Sequence, residues 1–297
     1  MRLVLLFIFF GISTGLLAGT PMVSVDDFVD AEMTASGTPG LAYAIIENGE
    51  VYTGTRGEIL VGSGQKVTAE TPFLLGSISK SFTAMAVMQL VEAGKVDIDS
   101  EISQYLDAFS APPVRGITIR QLLSHTSGYA TFQGNIAYKD KYSDQLEQIA
   151  SWTPTYTPGA KWDYSNANYI ILGFLIEALS GQDYASYIEA NILEPIGMEH
   201  SFVTDKENRG MMAIGHRPWF GTKQPYKVND KQQEAAPTAD GIASAGGIFA
   251  SAGDMGLYLA IMLNGQDDVI SAESKSMMMR PASDASPYYG FGWSIDT

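Results

Sequence analysis

The 297-residue chain contains no cysteine. That single absence excludes disulfides, thiolate zinc sites, a cysteine nucleophile and a lipobox anchor. Histidine is nearly as scarce: His125, His200 and His216 are widely scattered, with no pair at helical metal-ligand spacing. No metal or other cofactor is therefore expected. Charged residues make up only 17% of the chain and form no block of one sign, which argues for a folded body without a disordered tail. Cations are outnumbered 18 to 33, a net charge of −15, so the surface repels nucleic acid and anionic lipid. Also missing are a G-x-S-x-G nucleophile elbow, internal repeats and low-complexity linkers. The glycine-rich stretch 241–247 has neither a phosphate-loop lysine nor dinucleotide-binding spacing, and reads as a tight backbone turn.

What is there begins with Met1-Arg2 and the apolar stretch 3–18, the pattern of a secretory signal cleaved near Ala18. It predicts a secreted or periplasmic protein with no strong membrane association after cleavage. The other reading is an uncleaved anchor, although the stretch is slightly shorter than the roughly 20 residues of a spanning helix.

The chemistry concentrates at Ser77-Ile78-Ser79-Lys80, followed at once by the apolar run 82–93. Residues three apart share a helical face, so Lys80 can reach the Ser77 hydroxyl while the unpaired N–H groups of a first turn surround it with partial positive charge. Such a pair is suited to attack on acyl groups. The spacing by itself is weak, and Ser63-Gly64-Gln65-Lys66 repeats it. There, glycines flank the serine and no helical periodicity follows, so it reads as a solvated turn. A second signal is Tyr164-Ser165-Asn166, after a turn at Thr157-Pro158-Gly159 and just before an apolar helix. A phenol near an ammonium can exchange protons with it, and a carboxamide can both donate to and accept from a substrate amide. Alternatively, Tyr164 packs and Asn166 caps the helix.

Together these motifs, with His125-Thr126-Ser127-Gly128, Leu193-Glu194-Pro195-Ile196-Gly197-Met198, Ala245-Gly246-Gly247 and Tyr289-Gly290-Phe291-Gly292-Trp293, resemble the serine β-lactamase and penicillin-binding-protein superfamily, in its class C β-lactamase-like group. The resemblance implies an α+β chain of the β-lactamase/transpeptidase-like fold: an antiparallel sheet from both chain ends, helices on both faces, and an inserted mainly helical lobe. It implies a serine hydrolase working through an acyl-enzyme, with Ser77 as nucleophile, Lys80 and Tyr164 moving the proton, and Asn166 binding substrate. The substrate would be a small ester, a β-lactam or a D-amino-acid amide of a cell-wall peptide. The rivals are a penicillin-recognising covalent binding protein and an inactive structural relative. A lysine serves as base only if its ammonium loses its proton near neutral pH, so Lys80 should be dry and near Tyr164. The Ser77 N–H would be one oxyanion donor. His125 is read as architectural. The family's third element, K-T-G or H-x-G on a strand facing the nucleophile, normally follows a segment like 289–293. Only Ser294, Ile295, Asp296 and Thr297 come after it, which leads us to expect a C-terminally truncated chain of doubtful activity.

The expected organisation is a signal at 1–18, a sheet lobe from 24–76 and 241–297, incomplete at its C-terminal side, and a mainly helical lobe at 77–240, with the active site in the cleft between lobes. A helix at 25–35 precedes a hairpin, 41–47 and 50–55, joined by Asn48-Gly49. Helices are expected at 77–93, 101–109, 119–124, 144–152, 166–179 and 184–192. A strand at 242–250 leads to a helix at 255–263, capped by Ser251 with Asp254 and ended by Asn264-Gly265. The aromatics Trp152, Tyr156, Trp162, Trp219 and Phe220 lie in loops bordering the expected cleft, where they either shape a substrate pocket or serve core packing or loop anchoring.

Overall fold

A computed structural model describes residues 24–111, 114, 116–131, 133, 145–203, 212–219, 222–225, 239–263 and 267–296. The chain divides into two units, Met1–Thr38 and Pro39–Thr297. In the first, helix α1 (Val25–Ser36) starts where the Ser24 side chain accepts from the Asp27 N–H. It carries Asp26 and Asp27 at its positive end and stops at Gly37, whose φ of 63° suits glycine. The expected signal at 1–18 lies outside the described residues.

The second unit opens with a hairpin, β1 (Gly40–Glu47) and β2 (Glu50–Gly57), in antiparallel register from Gly40↔Gly57 to Glu47↔Glu50. Asn48 and Gly49 turn it with φ of 53° and 86°, the two positive values that a type I′ turn needs. After the short strand β3 (Phe73–Leu74) comes a 3₁₀ turn at Gly76–Ile78 that runs into α2 (Ser79–Glu92). α2 is mostly apolar from Phe82 onward and buried on nearly every side, the signature of a central helix. It packs on α5 (Asn166–Ser180), which is equally enclosed between residues 167 and 176. Around this pair lie α3 (Ile119–Leu123) and α4 (Gln145–Ala150), then α6 (Tyr184–Ile188), a π-helical segment Glu189–Leu193, and α7 (Glu194–Ile196). The remaining elements are β4 (Phe202–Val203), β5 (His216–Trp219), β6 (Thr222–Pro225), α8 (Ala243–Gly246), β7 (Ile248–Ala250), α9 (Ala252–Leu263) and α10 (Ala272–Met278).

Among the described residues the strands form three small antiparallel sheets, β1-β2, β3-β7-β4 and β5-β6, where one shared sheet was expected. α9 covers the hairpin, and Gly256 makes the close contact possible: a Cβ there would lie 2.3 Å from Val51 Cγ1. The strand expected at 242–250 is a strand only over 248–250; 243–246 is a helical turn. Its small residues let it lie against α2, and the turn aims successive carbonyls at α2 side chains. Thr83 Oγ1 donates to the Ser244 carbonyl at 2.6 Å, and Lys80 Nζ donates to that of Ala245 at 2.6 Å. The Ile248 N–H donates to Ser79 Oγ at 3.0 Å. The helix expected at 101–109 is two separate 3₁₀ turns, Ile102–Gln104 and Asp107–Phe109. Only half of the Ser251/Asp254 capping box forms. Ser251 Oγ accepts from the Asp254 N–H, but the Asp254 carboxylate turns to the His200 N–H at 2.8 Å and the Ser201 hydroxyl at 2.6 Å. Asn264-Gly265 lies outside the described residues.

Candidate active site

Gly76, with φ of 55°, swings the chain out of β3 and into the 3₁₀ turn, so Ser77 stands at the mouth of α2. The Ser77 side chain is exposed, whereas Lys80, one turn on, is completely buried. Substrate can reach the hydroxyl while the amine stays dry. Lys80 Nζ lies 3.2 Å from Ser77 Oγ, 2.9 Å from Asn166 Oδ1 and 2.6 Å from the Ala245 carbonyl oxygen. The Tyr164 phenol donates to Ser77 Oγ at 2.7 Å, and Nζ sits 4.9 Å from the Tyr164 ring centre. Two stretches of the chain, 77–80 and 164–166, thus meet in one cluster: Lys80 and Tyr164 reach the Ser77 hydroxyl, and Asn166 reaches the Lys80 amine. Burial pushes the Lys80 ammonium down to about 7, because the charged form loses its hydration.

Asn166 is the first residue of α5, and Ser165 occupies the cap position without a side-chain cap bond. The Asn166 oxygen faces Nζ, which leaves Nδ2 as a donor. The alternative of Asn166 as a cap is thereby removed. Ser63 lies exposed in a glycine turn, and Lys66 pairs with Glu58 at 3.1 Å, as a solvated loop would have it.

The loop that carries Tyr164 is hung on His125-Thr126-Ser127-Gly128. The N–H groups of Thr155 and Tyr156 donate to the Gly128 carbonyl at 2.8 and 3.2 Å, that of Gly159 to Thr126 at 2.7 Å, and that of Asp163 to His125 at 2.9 Å. Gly128, with φ of 95°, has no room for a side chain: a Cβ would lie 2.1 Å from the Tyr156 carbonyl oxygen. Behind the strip, Ser127 Oγ donates to Asn168 Oδ1 at 2.6 Å. The turn 289–293 backs the site from another side. Gly292, with φ of 79°, brings its Cα against α2, where a Cβ would meet Lys80 O at 2.8 Å. Sequence reasoning missed the parts played by Ser79, Thr83, Asn168 and the Ala245 carbonyl. Polar residues at successive turns of an otherwise apolar helix were the available signal, since a buried hydroxyl needs a partner. Trp162 is 41% exposed with its ring centre 6.4 Å from that of Tyr164, so it borders the site. Trp152 packs partly buried against the core. Phe220 and the Trp219 side chain lie outside the described residues. Among the described residues no cluster of metal-ligating side chains occurs.

A family model described as Beta-lactamase matches residues 25–296. The chain belongs to the beta-lactamase family. Its similarity to penicillin-binding protein 4 of Amycolatopsis lactamdurans is 31% identity over 218 residues, 70% of this chain and 56% of that one. A putative D-alanyl-D-alanine carboxypeptidase of Escherichia coli O157:H7 is 25% identical over 314 residues, 92% of this chain and 71% of its own. Among solved structures, the octameric penicillin-binding protein homologue from Pyrococcus abyssi superposes with a TM-score of 0.78 at 27% identity, covering 90% of this chain and 63% of that one. This beta-lactamase family chain spans little more than half the length of the Amycolatopsis protein, 56%. The fold expected from the sequence, β-lactamase/transpeptidase-like and α+β, is the fold observed.

Proposed function

We propose that the chain is an exported serine hydrolase that forms an acyl-enzyme at Ser77. The observation that carries this reading is the convergence of Lys80 and Tyr164 on the exposed Ser77 hydroxyl, with Asn166 holding the Lys80 amine. A neutral amine has two N–H bonds and one lone pair. At Lys80 the Asn166 oxygen and the Ala245 carbonyl can only accept, so they take the two N–H bonds and the lone pair faces Ser77 Oγ. Lys80 then removes the serine proton as Oγ attacks the substrate carbonyl. The Tyr164 phenol, already on Oγ, is placed to pass a proton to the departing group and to recover one from the Lys80 ammonium. Water completes the cycle by attack on the acyl-serine, and the Asn166 Nδ2 donates to the substrate. The Ser77 N–H, at the start of the helical run, serves the oxyanion.

For substrate we propose a D-amino-acid amide or a β-lactam, with simple esters turned over as surrogates. The printed names of the relatives, penicillin-binding protein and putative D-alanyl-D-alanine carboxypeptidase, support the first two. Those names equally support a protein that binds penicillin covalently and stalls. Export rests on the sequence pattern at 1–18. The test is labelling with a fluorescent penicillin beside steady-state hydrolysis of a p-nitrophenyl ester. Ser77→Ala should abolish both, a loss of at least about 10³-fold in rate, and Ser63→Ala neither. Labelling without turnover would replace the hydrolase by the covalent binder, and a dead Ser63→Ala variant would overturn the choice of nucleophile.

A further inference from the structure

His125 is fully enclosed and adopts a left-handed backbone, φ 58°, which is unfavourable for a residue with a Cβ. Its Nδ1 receives the Ser165 backbone N–H at 3.1 Å. A backbone amide can only donate, so Nδ1 is the unprotonated nitrogen and the proton is on Nε2. The Asn168 carboxamide, whose oxygen is occupied by Ser127, adds a second donor to Nδ1 at 3.1 Å. Nε2 has no hydrogen-bond partner among the described residues. The imidazole sits among three phenol rings, with ring centres 4.4 Å from Tyr164, 5.2 Å from Tyr169 and 4.9 Å from Tyr289. The His125 carbonyl accepts the Asp163 N–H at 2.9 Å. One residue therefore grips the chain immediately before and immediately after Tyr164, and lays its ring against the phenol between those grips.

We propose that His125 is a positioning residue for proton transfer, fixing the Tyr164 hydroxyl on Ser77 Oγ through its carbonyl, its Nδ1 and its ring. The inference rests on the role given to Tyr164 above. It separates His125 from the nucleophilic chemistry, since Ser165, Asn168 and the rings occupy its surroundings and it contacts no reacting atom. It also accounts for a neutral, buried histidine beside a buried lysine: an imidazolium would offer Ser165 a donor in place of an acceptor and release the loop. A group that acts only through geometry tolerates replacement by another neutral acceptor of the same reach, and asparagine places Oδ1 close to the position of Nδ1 and accepts the left-handed backbone.

The experiment compares His125→Asn with His125→Gly in the full chain, using p-nitrophenyl acetate. Both lose the ring and both tolerate positive φ, so they differ in the acceptor. His125→Gly should lose about 100-fold in kcat with KM changed less than about twofold, as expected for a misplaced group that acts on the transition state. His125→Asn should recover most of that loss. In a Tyr164→Phe background, His125→Gly should cost less than about twofold further, because the group it positions is already gone. Glycine matching or exceeding asparagine, or losses that multiply in the double variant, would overturn the proposal while leaving the Tyr164 chemistry intact. A Tyr164→Phe enzyme with undiminished rate would overturn both. Histidine ¹⁵N spectra of the unsubstituted protein give a check that does not depend on any variant folding: His125 must show protonated Nε2 and bare Nδ1, and the opposite tautomer refutes the assignment.

Discussion

At the scale of single residues, burial disfavours the charged forms of the two basic side chains, Lys80 and His125. The Lys80 ammonium is brought down to about 7 by lost hydration. His125 is held well below its usual range, first by burial and then by the nearby lysine. The acid limb of kcat/KM should therefore belong to Lys80, with an apparent pKa near 7 and a tenfold fall per pH unit below it. A limb at carboxylate pH, or none, would remove Lys80 as base. Lys80→Arg should be as inactive as Lys80→Ala, since a guanidinium stays charged. The same depression bears on stability. The unfolded chain keeps the Lys80 proton up to about 10.5 and the folded chain only to about 7. Between those values the unfolded state binds more protons, so stability rises with pH, and the penalty is fully present below about 7. Lys80→Met should thus gain melting temperature at about pH 6, and that gain should shrink on going to about pH 9.5 by on the order of 3 kcal/mol. A gain independent of pH would contradict the depressed lysine.

At the scale of elements, the strip 125–128 and the loop 155–163 form a backbone ladder that ends at Asp163, the residue before Tyr164. Gly128→Ala puts a methyl onto the Tyr156 carbonyl and demands a left-handed alanine. It should lower kcat at least about tenfold, with a melting temperature reduced by only a few degrees. A full loss of folding, or no kinetic effect, would show that the ladder does not set the catalytic loop. This ladder marks the limit of what the sequence disclosed. α1, the Asn48-Gly49 hairpin, α2 and α5 were legible because periodicity and turn chemistry are local properties. Ser77 and Lys80 were legible for the same reason, being one helical turn apart. The Lys80 bond to the Ala245 carbonyl spans 165 residues, and no local pattern encodes it. Residues 243–246 misled because Ile242 and the apolar residues after it look like a strand; tertiary contact with α2 decided for a helical turn. The grip of His125 on Ser165 was invisible for a further reason, since it depends on which imidazole nitrogen is bare.

For the molecule as a whole, the dominant quantity is charge. With a net −15 the chain presents a negative field to whatever approaches. Penicillins and peptide carboxylates approach against that field, and neutral esters do not. Raising salt from about 10 to about 200 mM should increase kcat/KM for an anionic β-lactam a few-fold while leaving p-nitrophenyl acetate unchanged. A rate for the anionic substrate that falls with salt would instead reveal a local positive funnel. Among the described residues no helix is long and apolar enough to cross a membrane.

The partners of Lys80 are a hydroxyl, a carboxamide and a carbonyl, with no carboxylate among the described contacts. In the proposed mechanism, once Lys80 has taken the serine proton, the described residues that contact it offer its positive charge no counter-ion. The compensating charge has to arrive with the reaction, as the oxyanion of the tetrahedral intermediate. Inhibitors that become anionic at the atom bonded to Ser77, such as boronic acids, would supply it permanently. They would trap the enzyme with its lysine charged, and their affinity would exceed that of neutral covalent agents of the same size.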